Sequence, residues 1–128
     1  MQDLDDAISN YGRPVITQHN MANRSVAGTL TAVNHQVLFD TSGGLGIRAS
    51  HWPKPLHGKT CGYAGGIGPA TAAQDVEMAF ECADGAPCWI DMESLVRSED
   101  KFDASLCRSV LLAVDGALAA RSHPSTPK

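Results

Sequence analysis

CGYAGGIGPATAAQDVEMAF, residues 61–80, changes its period in the middle, and that change decides the fold. Residues 59–65 read as a short apolar strand. Glycines 65, 66 and 68 then permit a sharp reversal, Pro69 sits where a first helical turn accepts it, and Ala73, Val76, Ala79, Phe80 and Ala83 recur at the spacing of one helix face. A strand that runs straight into a helix is half of a β-α-β unit and implies parallel pairing with the next strand. The Gly65-Gly66 pair ahead of a helix N-terminus suits two purposes. Its backbone N–H groups can converge on a phosphate, or the pair can simply make a close-packed turn. The glycines alone leave both open.

Toward the N-terminus, Leu4, Ala7, Ile8 and Tyr11 fall on one helical stripe that Gly12 and Pro14 stop. VITQ, residues 15–18, reads as a short strand. Val26, Leu30 and Val33 predict a helix, and QVLFD, residues 36–40, a second strand that ends in the glycine-rich TSGGLG. IRASHWPKPLHG, residues 47–58, has two prolines and no period, which predicts an irregular link. Toward the C-terminus, ADGAP breaks the helix and CWIDMES, residues 88–94, is a fourth strand. Asp103 is placed to cap a last helix with the face Cys107, Val110, Leu111, Val114 and Leu118. This alternation predicts an α/β fold with about four parallel strands and helices outside them. It forms a single unit over residues 1–122, with a disordered tail at 123–128.

The 128 residues suffice for one core. A net charge of −4 argues against a surface that attracts nucleic acid. The N-terminus is acidic where a secretory leader would be basic, and no apolar run reaches membrane-spanning length. A cytoplasmic protein with no membrane partner is expected. Cys61, Cys82, Cys88 and Cys107 form no CxxC pair and the five histidines no HxxxH face, so reduced thiols, no metal and no cofactor are expected.

Ligand sites in parallel sheets lie at the carboxyl ends of the strands. Alternation along a strand puts Asp40 on the face of Leu38, and Asp91 and Glu93 on the face of Trp89. Three carboxylates converging on one rim cost several kcal/mol without partners, so a ligand explains them better than packing does. An ion pair with Arg48 or Arg97, or helix capping, is the competing explanation. Asp91 and Glu93, roughly 7 Å apart along a strand, should hold one pKa up, as a general acid near neutrality requires.

Together these segments resemble the C-terminal half of phosphoribosylanthranilate isomerase, an eight-stranded (β/α) barrel enzyme of tryptophan biosynthesis, over about residues 15–114. LFDTSGGLGIRASHW is similar to the family's Asp-Thr, glycine-rich and Trp stretch after the sixth strand, YAGGIGPATAAQDVEMA to its seventh, and WIDMESLVRSEDKFDASLCRSVL to its eighth. Leu95 stands where that family has glycine, Glu93 where it has serine, and Leu45 where it has threonine. The resemblance implies an Amadori-type aldose-ketose isomerisation of a phosphorylated sugar-like substrate. Asp40 and Asp91 would be catalytic, and Gly43, Gly44, Gly65, Gly66, Glu93 and Ser94 would bind substrate and phosphate. The family's general base is a cysteine on the first strand, which lies outside the matched segments. Cys61 and Cys88 begin their strands, roughly 10–13 Å from the rim.

A barrel of this type needs at least about 200 residues, so the expected structure is half of a (β/α)8 barrel with two open edges and an uncovered inner face. It would be completed by a homodimer partner or a separate N-terminal half-barrel chain, or be flattened into an open layer without either, with self-association favoured. The alternative is a non-catalytic phosphate-binding or assembly module, a divergent or truncated relative.

Overall fold

The computed structural model describes residues 2–43 and 45–122. The expected tail at 123–128 lies outside the described residues, as does Gly44. In chain order the elements are α1 (Gln2–Asn10), β1 (Val15–His19), α2 (Arg24–Ala27), β2 (His35–Asp40), β3 (Cys61–Ala64), α3 (Ala72–Ala83) and β4 (Cys88–Ile90). A 3-10 turn (Ser94–Val96), the two-residue strands β5 (Arg97–Ser98) and β6 (Lys101–Phe102), and α4 (Ala104–Ser122) follow. The four longer strands form one parallel sheet in the order β1-β2-β3-β4. Neighbours in sequence are therefore neighbours in the sheet, the arrangement of one half of a (β/α) barrel.

Strand alternation separates the two faces of the sheet. Val37 and Phe39 of β2, Cys61 and Tyr63 of β3, and Cys88 and Ile90 of β4 join one core with Ala72, Ala79, Cys82 and Ala83 of α3 and Val110 of α4. The residues between them, Ile16, Gln18, Gln36, Leu38, Gly62, Ala64 and Trp89, belong to the other face. Its β1 edge is open, with Ile16 52% exposed, while Leu38 and Ala64 nearer its centre are buried. Trp89 covers part of this face. Its indole lies over Gly62, where an added Cβ would stand 2.5 Å from the ring, and its Nε1 donates to Gln36 Oε1 at 3.2 Å.

Several elements differ from the sequence reading, each for a local reason. The helix expected through Val33 stops at Ala27. Thr29 donates from N and Oγ1 to the Val26 carbonyl, and the N–H groups of Thr31 and Ala32 turn to the Asp5 carboxylate of α1 instead of to a helix. Val33 is fully exposed as a result. The link between β2 and β3 carries no helix, as expected, but it is anchored: the Trp52 indole is buried, stacks on Tyr63 and donates to the Ala64 carbonyl at 2.8 Å. The face of α3 is rotated so that Ala72 and Val76 are buried and Ala73 is exposed.

The fourth strand, expected to 94, ends at Ile90. Asp91 N still donates to the Tyr63 carbonyl, after which the 3-10 turn carries Val96 into the core. An unexpected β5-β6 hairpin follows, turning through Glu99 and Asp100 at positive φ. Asp103 caps α4 as expected, accepting from the N–H groups of Ser105 and Leu106. That helix presents Leu106, Cys107, Val110, Ala113 and Val114 inward, while Leu111 and Leu118 of the expected face are exposed.

Candidate functional site

The parallel register brings the ends of β2, β3 and β4 to one rim, and there the described residues form a mouth. Asp40 and Ser42 line it from β2, Gly65 and Gly66 from β3, Asp91, Glu93 and Ser94 from β4, and Gly46 from the link. Its enclosed volume is about 30 Å³, room for a water molecule or two but not a sugar. Six of the eight site residues expected from sequence converge here: Asp40, Asp91, Gly65, Gly66, Glu93 and Ser94. Gly43 does not line the mouth. It turns at φ +65° beside the Asn20 side chain, its N–H bonded to the Asp40 carbonyl. Gly44 lies outside the described residues.

Asp40 is buried. Its carboxylate accepts from Gln18 Nε2 at 2.9 Å and from Ser42 N and Oγ at 3.0 and 2.7 Å. The Gln18 contact crosses from β1, and its signal was present in the sequence, since alternation along VITQ puts Gln18 on the inner face. Asp91 behaves differently. Burial of its carboxyl in the mouth, then the charges of Glu93 and Asp40, push its pKa above the usual aspartate value. The residue as a whole is exposed, which leaves this effect weaker than it would be for a fully buried carboxyl. The expected like-charge coupling with Glu93 is present, but burial outranks it. Glu93 is not on a shared strand face with Asp91, because β4 has ended. It is exposed and stands 3.9 Å from Arg97. Of the competing ion pairs, Arg48 serves neither Asp40 nor Asp91: it grips the buried Asp75 of α3 at 2.9 Å.

The glycines answer the turn-or-cradle question in part. Gly66 has φ +65°, and an added Cβ would stand 2.5 Å from Arg48 Cα, so the link passes directly against its backbone. Gly65 carries φ +121°, and its carbonyl accepts from Ala49 N at 3.2 Å. Both glycines are thus required by packing, whatever else they do. Beside the mouth, sharing Gly46 and Gly66 with it, is a groove of about 340 Å³. Arg48, the residues just before α3, and Leu95 line this groove, and Leu95 packs onto Gly68. The mouth holds three carboxylates and, among its described lining residues, no cation. The groove has the Arg48 guanidinium and the start of α3 in its wall, but Asp75, in the first turn of that helix, already pairs with the guanidinium.

Cys61 and Cys88 occupy the covered face of the sheet, and burial raises both thiol pKa values. Parity as well as distance therefore keeps them from the mouth. Among the described residues, no three His, Cys, Asp or Glu side chains are grouped to hold a metal, and no helix is long and apolar enough to cross a membrane. No family model, curated protein or solved structure matches this chain.

Proposed function

We propose that this chain is half of a barrel isomerase of the phosphoribosylanthranilate isomerase type, cytoplasmic and acting on a phosphorylated sugar-like substrate once four more strands close its inner face. The observation that carries the reading is the convergence of Asp40 and Asp91 at the carboxyl end of a parallel sheet, with the Asp91 proton held more tightly than an ordinary aspartate's. The resemblance supplies the reaction and gives Asp40 the proton-donor role at the ring oxygen. Asp40 is fixed by Gln18 and Ser42, and Asp91, whose pKa is raised by burial and then by the charges of Glu93 and Asp40, would assist beside it. The phosphate end would occupy the adjoining groove by Arg48 and the start of α3. The base that removes the C2′ proton would come from the completing half.

Self-association is the closure we favour. Among the described residues, β1 and β4 each have one partner strand in the sheet and one edge without a strand. A twofold axis along the barrel would pair β4 of each copy with β1 of the other, all strands remaining parallel. A separate N-terminal half-barrel chain would serve the same edges. A non-catalytic assembly or phosphate-binding module is the second reading, favoured by the packing of Leu95 onto Gly68 and Ser94 against Gly46, which fills loop space a substrate would need.

The deciding experiment adds an N-terminal half-barrel of the isomerase family to this chain and follows aldose-ketose isomerisation. Turnover is expected only in the mixture, with Asp91→Asn lowering kcat by about 10²–10⁴-fold. A complex that assembles and binds phosphate without turnover would establish the module instead. Activity of the chain alone would overturn the dependence on a completing half. Substituting Gly66 would not discriminate, because any side chain there collides with the link.

A further inference from the structure

Lys59 lies just before β3, at the end of the sheet opposite the acidic mouth. Two clefts of about 460 and 480 Å³ meet at this point and share Leu56, His57, Gly58 and Lys59 in their walls. The Lys59 side chain is half-buried and donates from Nζ to the Ala32 carbonyl at 2.9 Å. Among the described residues no carboxylate forms an ion pair with it. The Asp5 carboxylate, which acts on it electrostatically, is committed to Thr31 and Ala32. An ammonium withdrawn from water and given one neutral carbonyl is poorly compensated. Burial accordingly lowers the Lys59 pKa, against the opposing pull of Asp5 and Cys61. Lys54 is the contrast: it also lines one of the clefts, but its side chain is 77% exposed and paired with Asp84 at 3.2 Å.

We propose that Lys59 is a carbonyl-reactive amine whose clefts admit a small aldehyde and hold it as an imine. The amine lone pair attacks the carbonyl carbon, the C–N bond forms, and the carbonyl oxygen leaves as water with the two protons that nitrogen gives up. Both clefts run along Lys59, so a small reagent can reach its side chain. Lys54 lines one of them, but Asp84 in the same wall meets its charge, so recognition is of the carbonyl itself. Nothing in the mouth takes part, so this site stands or falls independently of the isomerase reading.

The chain has four lysines, Lys54, Lys59, Lys101 and Lys128. The full chain is treated briefly with pyridoxal 5′-phosphate at neutral pH, reduced with borohydride and mapped by peptide mass spectrometry. Lys59 is expected to be labelled several-fold faster than Lys54 and Lys101, and to keep that lead at lower pH. The uncharged probe propanal separates amine reactivity from phosphate attraction, and the lead of Lys59 is expected with it as well. Unfolding in urea should abolish the difference. Equal or slower labelling of Lys59 in the folded chain, or a lead seen only with the phosphorylated probe, overturns the proposal.

Discussion

The two faces of the sheet are built from the same four strands and could hardly be more different. On one, aromatic and β-branched side chains from β2 and β3 meet two helices and the Trp52 anchor, and Val37, Trp52, Cys61 and Tyr63 are fully buried. On the other, Ile16 and Gln18 are exposed, Gln36 is half-buried, and Trp89 is folded down across Gly62. The comparison teaches that the chain completes one hydrophobic core from its own sequence and leaves the second surface amphipathic. A sheet face destined for permanent water would be more polar, and one already covered would be more apolar. That intermediate character suits the proposed closure by further strands.

Paired truncations should separate the two faces most sharply. Phe39→Ala should cost about 3–5 kcal/mol, whereas Ile16→Ala, on the bare face, should stay within about 0.5 kcal/mol. Urea titration of both variants checks this, and similar losses would mean that the inner face is already covered in solution. A smaller effect is expected from Gly62→Ala. The new methyl group would enter the space of the Trp89 ring, costing about 1–3 kcal/mol. The released indole should shift the tryptophan emission to the red, while buried Trp52 is unaffected. An unchanged spectrum would place Trp89 elsewhere.

The smallest effect concerns pH and two histidines on the covered face. The Thr17 hydroxyl lies 2.6 Å from His19 Nε2 and 2.7 Å from His35 Nε2. It has one hydrogen, so one ring accepts it and the other donates back. His19 Nδ1 faces the Asn23 carbonyl at 3.3 Å and must carry a proton there, so His19 accepts through Nε2 and His35 donates. His35 Nδ1 is then a buried nitrogen without a partner. Burial first, then Lys59 and His19, lower the His35 pKa from its ordinary 6.5, against Asp5. Above pH 6.5 the ring is neutral folded or unfolded and contributes nothing. Below it the unfolded chain takes up a proton that the folded one resists, so stability falls from pH 6.5 downward. Denaturation midpoints measured from pH 8 to pH 5 should show this fall, and His35→Gln should flatten it.

Much of this was legible beforehand. β2, β3, α3 and the Asp103 cap follow from periodicity and capping chemistry, and the convergence of Asp40 with Asp91 follows from strand parity once the pairing is parallel. What escaped was whatever depends on distant contacts. The α2 helix is cut short because Asp5, more than twenty residues earlier, claims the amides of Thr31 and Ala32. β4 ends early because Val96 is wanted in the core, and nothing in CWIDMES announces that. Glu99 and Asp100 adopt positive φ with neither glycine nor asparagine to signal a turn. The glycine pair was ambiguous for the same reason: the backbone it accommodates belongs to a link whose path periodicity does not describe.

Trp52 divides that link into two stretches with different freedoms. Its indole is fastened to the last carbonyl of β3, so the residues from Asp40 to Trp52 form a closed span between two fixed points, and that span carries Gly46 and Arg48 past the rim. The stretch from Trp52 to Lys59 returns to the far end of the sheet and touches nothing at the mouth. Insertions should therefore accumulate after this tryptophan and be rare before it, because the length of the first stretch sets the shape of the rim and the length of the second does not.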